Sequence, residues 1–391
     1  MTDITFFVLY VLICAVTFCH YLWWLRKSFA LLRRPLLTVL FSLLFLGFAI
    51  TPVIGFYLQK SGFQHFMAAT GNFWLGYMAC AGGVMAVSLL LQLICARGKL
   101  LTWRKKRDRK QLRTQGFLCL FSSLAIFAYG VWNARFVQYV PYELQLTSEA
   151  ASEDSLTMVF LSDLHMGENV GCTHLNWLVG EINAREPDLV LIGGDLFDHD
   201  YDDMEDPKAM IRILQRINST YGVYAVYGDA DASESFCGPF CLSEGEAKAD
   251  SRMDDFLEAA GITLLQDQGT AINDTYYLWG RSPASADGQE ECLSPEEISE
   301  QVPADKQLIV LQHQPIEIEE LSDAGTALTL CGHVMHGQNF PLNLAASLQW
   351  TYDYGLKNCG DMSVITTGGA GLAGLPLRVG TDTEISVITL K

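Results

Sequence analysis

Long runs of apolar residues mark the first third of the chain. Four of them, at 6–25, 36–58, 73–96 and 116–134, are close to or above the roughly 20 helical residues that cross a bilayer. The first run lacks a basic start and a small-residue cleavage site, so we expect a membrane helix there and no cleaved signal peptide. The pattern predicts a transmembrane region of four helices over 1–140.

Basic residues are distributed unevenly among the loops between these runs. Nine Lys or Arg residues lie within 97–113 and four lie within 26–34, whereas 59–72 carries only Lys60. Basic loops stay on the cytoplasmic side of a membrane, where they contact anionic lipid. We therefore expect a multi-pass protein of the cytoplasmic membrane, with the N-terminus and everything after the fourth run outside the cytoplasm. This interpretation leaves no need for a nucleic-acid partner.

After residue 155 the pattern changes to short apolar runs that alternate with amphipathic segments. Buried strands are predicted by SLTMVFLSD, PDLVLIGGD, YGVYAVYGD, QLIVLQHQP, ALTLCGH, MSVITTGGA and ISVITLK. Helical spacing is found in HLNWLVGEINARE and PKAMIRILQRINS. Apolar strands with intervening helices are typical of buried sheets covered by helices. We expect one α/β domain over 156–391, joined to the membrane region by a linker at 141–155.

Charge divides the chain near residue 140. Residues 1–140 carry 15 Lys or Arg and 2 Asp or Glu, whereas the remainder carries 11 and 42. The acidic half would repel free anions and favour solubility. Six cysteines in this half permit disulfides if the domain is exported, and Cys237 with Cys241 permits a local disulfide, two thiols or a soft metal pair.

Metal-compatible side chains follow five of the predicted strands. They are Asp163 and His165, Asp195 and Asp198, Asp229 and Asp231, His313, and His333 and His336. Ligand clefts of open α/β sheets form at the carboxyl ends of strands. A single such residue is usually a cap or a turn residue, but capping does not explain five strand ends in succession. Carboxylates combined with imidazoles suit Mn²⁺, Fe or Zn²⁺ better than Ca²⁺.

These segments resemble, in order and spacing, the signature blocks of the calcineurin-like metallophosphoesterases. The matching stretches are SDLHMG, GGDLFD, YGDAD, LQHQP and GHVMHGQ. The tail from YDYGL to TEISVITL resembles the membrane-anchored branch of that family. The resemblance covers about 156–390 and implies a four-layer α/β/β/α sandwich with two divalent metal ions of Mn, Fe or Zn.

The resemblance also implies which side chains serve the site. Asp195 would bridge the two metals, and the implied catalytic residues are Asp195, Asp229 and His313. The further ligand positions are Asp163 and His165 for the first metal, and Asp229, His313 and His333 for the second. Two metals about 3.5–4 Å apart activate a bridging water and clamp the phosphoryl group, so no Ser or Cys nucleophile is needed.

The third and fifth blocks depart from the family pattern. Where the family has Gly-Asn-His-Asp/Glu, this chain has Asp229, which can still ligate, and Ala230, which cannot donate a proton. A positioned acid is worth about 10²–10⁴ in rate, and good leaving groups need it least. Where the family has the second His of Gly-His-X-His, this chain has Met335. Two roles stay open for His336. It either replaces that ligand in a distorted turn beside Gly337, or it is a loop residue that binds no metal.

The sequence therefore predicts a membrane-anchored, metal-dependent phosphohydrolase acting on a phosphoester, a diphosphate or a lipid-linked phosphate. Arg378 is a candidate phosphate contact because arginine offers a bidentate fork. The alternative is a catalytically impaired binding or sensory pseudoenzyme, which Ala230 and Met335 favour. A transporter is disfavoured because the four apolar runs contain no Asp or Glu.

Overall fold

The computed structural model describes residues 3–391 apart from 31–32, 59–60, 98–108, 146–154, 199–200, 233–235, 238–239, 242–249 and 283–292. Most of the long basic loop and most of the expected linker therefore lie outside the described residues. The chain divides into two compact units. They are Met1–Val131 with Leu375–Leu377, and Trp132–Gly374 with Arg378–Lys391.

Apolar helices form the first unit. Their bounds are α1 Asp3–Ser28, α2 Pro35–Ala49, α3 Thr51–Tyr57, α4 Gly62–Arg97 and α5 Arg109–Asn133. Among the described residues, three segments are long and apolar enough to cross a membrane, namely Pro35–Gly55, Gly62–Ile94 and Arg109–Asn133. These helices indicate a membrane protein. The run at 6–25 lies within α1, and its crossing of the bilayer stays a prediction.

Two helical regions differ in detail from the predicted spans. The third predicted span starts at residue 73, but the helix that contains it, α4, already begins at Gly62. Polar residues such as Asn72 interrupt the apolar pattern without ending the helix. The buried amide of Gln64 donates to the Gly55 carbonyl oxygen at 2.7 Å. The second span consists of α2 and α3, which separate at Ile50 just before Pro52 in the first turn of α3. Proline cannot donate a hydrogen bond to the preceding turn, so the helix breaks there.

The second unit combines strands and helices. The strands are β1 Val137–Leu144, β2 Leu156–Leu161, β3 Leu189–Gly193, β4 Val223–Val226, β5 Phe236–Cys237, β6 Phe240–Cys241, β7 Ile262–Leu264, β8 Gln268–Ala271, β9 Tyr276–Gly280, β10 Gln307–Leu311, β11 Leu328–Cys331, β12 Gly355–Cys359, β13 Met362–Thr366 and β14 Thr383–Leu390. The helices are α6 Cys172–Asn183, α7 Pro207–Leu214, α8 Asp229–Ala232, α9 Ser251–Ala260, α10 Pro295–Gln301, α11 Ile318–Asp323 and α12 Leu342–Gln349.

Two six-stranded sheets organise this unit. The first has the order β1-β14-β2-β3-β4-β7 and the second has the order β12-β13-β11-β10-β9-β8. β2, β3, β4 and β7 are parallel neighbours in the first sheet. β9, β10, β11 and β13 are parallel neighbours in the second. Parallel neighbours end at the same edge of a sheet, so the residues that follow these strands are brought together.

An apolar core joins the two sheets face to face. It takes Phe160 and Leu191 from the first sheet and Leu278 and Ile309 from the second, together with their buried neighbours. α6, α7 and α9 pack on the other face of the first sheet, and α10 and α11 pack on the second. Burial on both faces explains why the strands read as unbroken apolar runs. The mixed α/β class predicted for this part of the chain is confirmed.

β1 occupies residues that the sequence pattern had divided between the membrane region and a linker. It pairs in parallel with β14 along its whole length, from Val137 opposite Thr383 to Leu144 opposite Leu390. Its exposed positions and Pro141 suit the outermost strand of a sheet, where a missing N–H donor is tolerated. Three residues, 134–136, separate α5 from β1.

The cysteines of the second unit fall into two groups. Within the part of the chain that the structure describes, Cys172, Cys331 and Cys359 form no disulfide. β5 and β6 form a small antiparallel hairpin in which Cys237 is paired with Phe240. The side chains of Cys237 and Cys241 lie outside the described residues, so their state stays open.

Candidate metal centre

Side chains that follow β2, β3, β4, β10 and β11 meet in one cluster. Their ligand-capable atoms form two groups, each with all atoms within 4.8 Å of one another: Asp163, His165 and Asp195 in one, and Asp229, His313 and His333 in the other. All six are residues that the strand-end pattern singled out. The parallel strands bring these six residues together, because the carboxyl ends of the strands in both packed sheets lie on the same side of the domain.

Asp195 lies between the two groups. Its Oδ2 atom is 3.7 Å from Nε2 of His165 and 3.2 Å from Nε2 of His313. Its Oδ1 atom accepts a hydrogen bond from the backbone N–H of Ala230 at 2.9 Å. One carboxylate oxygen of Asp195 therefore faces both groups, while the other oxygen is held by the backbone.

The second group is oriented by hydrogen bonds outside it. Nδ1 of His313 contacts the Gly193 carbonyl oxygen at 2.8 Å, which turns Nε2 toward the cluster. Oδ2 of Asp229 is 3.0 Å from Nδ1 of His333 and also accepts a hydrogen bond from the Gln314 amide. Such outer contacts fix the tautomer and direction of metal ligands. Gln314 was not predicted, although it directly follows His313.

Several polar atoms of the cluster are buried without a hydrogen-bond partner among the described residues. They are Oδ2 of Asp163, Nδ1 of His165 and Nε2 of His313. Buried polar atoms normally have partners, so an orphaned set needs an explanation. Buried carboxylate oxygens and imidazole nitrogens that converge on one place fit divalent metal ions.

The electrostatics of the cluster favour a cation. Burial opposes ionisation of Asp195, but the imidazoles of His313 and His165 outweigh burial and lower the pKa of this carboxyl group. Burial opposes a charge on His313, but the carboxylates of Asp195 and Asp163 outweigh it and raise the pKa of the imidazole well above its usual value. Without a metal, a proton on His313 thus compensates part of the negative charge of the buried carboxylates.

The backbone of the site is strained. Asp163, His165, Asp195 and His333 have φ angles of 55°, 48°, 51° and 68°. Residues other than glycine rarely adopt such values, which persist where the surroundings impose them and are frequent at functional sites. Gly194, with φ of 90°, leaves room for the cluster, because a Cβ atom there would lie 2.6 Å from Nδ1 of His313.

Asp231 has a positioning role. Its carboxylate accepts hydrogen bonds from the backbone N–H groups of Leu196 at 3.1 Å, Phe197 at 2.8 Å and Gly228 at 2.8 Å. Burial and the neighbouring Asp195 carboxylate raise the pKa of Asp231 to about 7. Asp231 therefore ties the loop that carries Asp195 to the loop that carries Asp229.

His336 lies outside both groups of ligand-capable residues. Its ring stacks on Tyr354, with centroids 4.0 Å apart and planes 4° apart. The turn is distorted, since Met335 and His336 have φ angles of 48° and 50°. That distortion directs the imidazole onto the aromatic ring. His336 thus faces Tyr354 and not the group of Asp163, His165 and Asp195, and its service as the ligand missing at Met335 stays a prediction.

Arg378 is fully buried and points at backbone carbonyl groups. Its guanidinium donates to the carbonyl oxygens of Gly368 at 2.6 Å, Gly371 at 2.9 Å and Asp382 at 2.9 Å. These contacts hold the glycine-rich tail loop in place. These donors face the protein and not an open cleft, and a contact between Arg378 and a phosphate stays a prediction.

Comparison with known proteins agrees with this geometry. Residues 156–349 match the calcineurin-like phosphoesterase family. An uncharacterized metallophosphoesterase of Helicobacter pylori strain J99 is 30% identical over 246 residues, which are 61% of this chain and 60% of that protein. This chain thus spans about 60% of the length of that relative.

Two vertebrate relatives also have membrane regions by name. Transmembrane proteins with a metallophosphoesterase domain from Bos taurus and Danio rerio are 28% and 27% identical to this chain. The matches cover 75% and 83% of this chain, and 67% and 76% of those proteins. The chain therefore carries a calcineurin-like metallophosphoesterase domain that follows apolar membrane helices, as the sequence resemblance predicted.

Proposed function

We propose that this protein is a membrane-anchored, metal-dependent phosphohydrolase with a two-metal site. The observation that carries this proposal is the place of Asp195 Oδ2, which is 3.2 Å from His313 Nε2 and 3.7 Å from His165 Nε2. A carboxylate oxygen that lies between an imidazole of each group is placed as a ligand that bridges two metals would be. The first metal would be held by Asp163, His165 and Asp195, and the second by Asp195, Asp229, His313 and His333.

The residues of this chain would orient the reaction. Bound divalent metals of the Mn, Fe or Zn type would activate a water molecule and polarise the phosphoryl oxygens. Gly193 fixes the ring of His313 and Gln314 fixes the carboxylate of Asp229. Ala230 supplies no proton to a leaving oxygen. Substrates that leave as stable anions, such as diphosphates and activated phosphoesters, therefore suit this site best.

We also propose that the phosphoesterase domain lies outside the cytoplasm and acts there on a lipid-linked phosphate. The support is the excess of Lys and Arg in 26–34 and 97–113 over 59–72. Protease digestion of right-side-out and inverted vesicles tests this orientation. Cleavage of the domain only in right-side-out vesicles is expected, and cleavage only in inverted vesicles would contradict it.

The activity is tested on the full chain in lipid nanodiscs. We expect Mn²⁺-dependent hydrolysis of bis(p-nitrophenyl) phosphate, and a rate at least about 100-fold lower in Asp195→Asn. Asp202→Asn is the matched control, because the Asp202 side chain is 52% exposed in a surface ion pair. Equal rates in Asp195→Asn and the unaltered protein would overturn the proposed function.

A binding or sensory pseudoenzyme is the second candidate. Ala230 at the proton-donor position and Met335 at a ligand position favour it, as does the place of His336 against Tyr354. Elemental analysis of the Mn²⁺-loaded protein separates the two proposals when it is combined with the hydrolysis assay. Bound metal without turnover of any phosphoester or diphosphate would assign the domain to binding and not to catalysis.

A further inference from the structure

α12 is a largely apolar helix without a buried side chain. Phe340, Leu342 and Leu344 in and before it are 60%, 61% and 57% exposed, and Leu348 is 90% exposed. Apolar helices of soluble domains bury these side chains against a core. No part of the described chain does so here. A contiguous exposed apolar segment of this kind marks an interaction surface.

Charge indicates the kind of partner. From Gly337 to Tyr352 there is no Asp, Glu, Lys, Arg or His, whereas the chain beyond residue 140 carries 42 Asp or Glu against 11 Lys or Arg. Trp350 and Tyr352 follow the leucines of α12. Leucines next to tryptophan and tyrosine, without charge, match the boundary between lipid headgroups and acyl chains.

The strand register places the chain entry and the cluster at the same edge of the first sheet. Val137, the first residue of β1, lies opposite Thr383, the first residue of β14. β14 runs antiparallel to β2, with Ser386 opposite Phe160. β1 therefore begins at the edge where β2 ends and where Asp163 follows.

A short segment of chain connects α5 to the first residue of β1. Residues 134–136 separate α5 from β1, and such a segment reaches about 14 Å at most when fully extended.

α12 borders the same cluster. Trp350, which directly follows the helix, packs edge-on against His333, with ring centroids 5.2 Å apart. His333 in turn lies 3.0 Å from Asp229. The uncharged helix and the cluster are therefore neighbours.

We propose that α12 and Phe340 form a lipid-binding surface, which lies in the interface of the bilayer that anchors the chain. The leucines of α12 insert among the outer segments of the acyl chains, and Trp350 lies at headgroup level. This assignment does not depend on hydrolysis at the cluster. It explains why an acidic domain retains an exposed segment that is both apolar and uncharged.

Depth-dependent fluorescence quenching tests the proposal on the full chain in phosphatidylcholine nanodiscs. The fluorescent residue acridonylalanine replaces Leu348 in one sample and Tyr221 in the other, and the lipid carries a spin label near the start of its acyl chain. Tyr221 is 36% exposed and precedes β4, so it lies at the opposite edge of the sheet. We expect quenching at position 348 to be at least about twice as strong as at position 221. Interfacial helices lie about 5–10 Å deep in the bilayer, which is close to the spin label.

Two results would overturn the proposal. Equal quenching at positions 348 and 221 would place α12 in water. The emission at position 348 could instead change with protein concentration and not with spin-labelled lipid. That result would assign the exposed face of α12 to a second copy of the chain. Both labelled positions are exposed, and an unchanged thermal unfolding temperature confirms that the label is tolerated.

Discussion

The imidazole of His336 stacks on the ring of Tyr354, with centroids 4.0 Å apart. This contact holds His336 away from Asp163, His165 and Asp195, which therefore form a group of three donors. We predict that Met335→His adds a fourth donor and raises the Mn²⁺ affinity of this group about tenfold or more. Isothermal titration calorimetry of the full chain with Mn²⁺ measures the change.

The neighbouring position supplies the control. His336→Ala removes an imidazole from the same turn but takes nothing from either ligand group, so Mn²⁺ affinity should stay unchanged. A large loss of affinity in His336→Ala would show that this side chain leaves Tyr354 and ligates after all. No gain in Met335→His would mean that the first metal is already held firmly.

We predict that Ala230 sets the leaving-group preference of the proposed hydrolase. Its side chain is 3% exposed, and its backbone N–H is held by Asp195, so the position is fixed beside the cluster. Ala230→His should raise kcat/KM for an alkyl phosphodiester by about 100-fold, because a positioned acid assists poor leaving groups most. The same change should affect bis(p-nitrophenyl) phosphate much less.

Ala230→Gln controls for side-chain size without an acid of suitable pKa. The ratio of kcat/KM for the two substrates is the measurement. If Ala230→His and Ala230→Gln shift the ratio equally, the effect is one of space and not of proton donation.

The sequence predicts the metal-compatible cluster where its side chains follow buried strands. Asp163, Asp195 and Asp229 follow apolar runs, and burial on both faces makes those runs recognisable. The direction of His336 depends on Tyr354, which lies in a separate turn, so no local pattern reveals it. The pairing of β1 with β14 joins segments from opposite ends of the domain, and an exposed edge strand has no buried-strand pattern to detect.

The direction of the Arg378 side chain also depends on packing that the local sequence does not reveal. A guanidinium near a glycine-rich segment suits a phosphate in water and a set of carbonyl oxygens in a core equally well. Only the packing of the tail loop, which buries Arg378 completely, decides between these roles. Residue type therefore predicts which side chains gather at the strand ends better than it predicts the direction of a single polar side chain.

Metal binding should release protons near neutral pH. The Asp195 and Asp163 carboxylates raise the pKa of His313 against the effect of burial, so the metal-free imidazole is protonated near pH 7. A metal at Nε2 displaces that proton, and about one proton per chain should leave. Mn²⁺ affinity should accordingly fall as the pH is lowered.

Titration calorimetry with Mn²⁺ in buffers of different ionisation enthalpy measures this release. The observed binding enthalpy should change with the buffer in the unaltered protein and in His336→Ala. An enthalpy that is independent of the buffer would show that His313 is neutral before metal binds.

Asp231 should matter for metal affinity although it contacts no metal. Its carboxylate accepts three backbone hydrogen bonds from Leu196, Phe197 and Gly228. Asp231→Asn replaces one acceptor oxygen by an NH₂ group, which faces at least one backbone donor. We predict a Mn²⁺ affinity about 10–100-fold lower, because such outer contacts position metal ligands. The free energy of unfolding should fall by about 1–3 kcal/mol, since a buried donor loses its partner.

Asp202→Asn is the matched control for Asp231→Asn. Its side chain is 52% exposed and pairs with Arg252 at the surface, where such ion pairs contribute little. Calorimetric titration gives the affinity and urea denaturation gives the stability of each variant. If Asp231→Asn lowers stability but leaves Mn²⁺ affinity unchanged, Asp231 supports the fold alone and does not position Asp195 and Asp229 for metal binding.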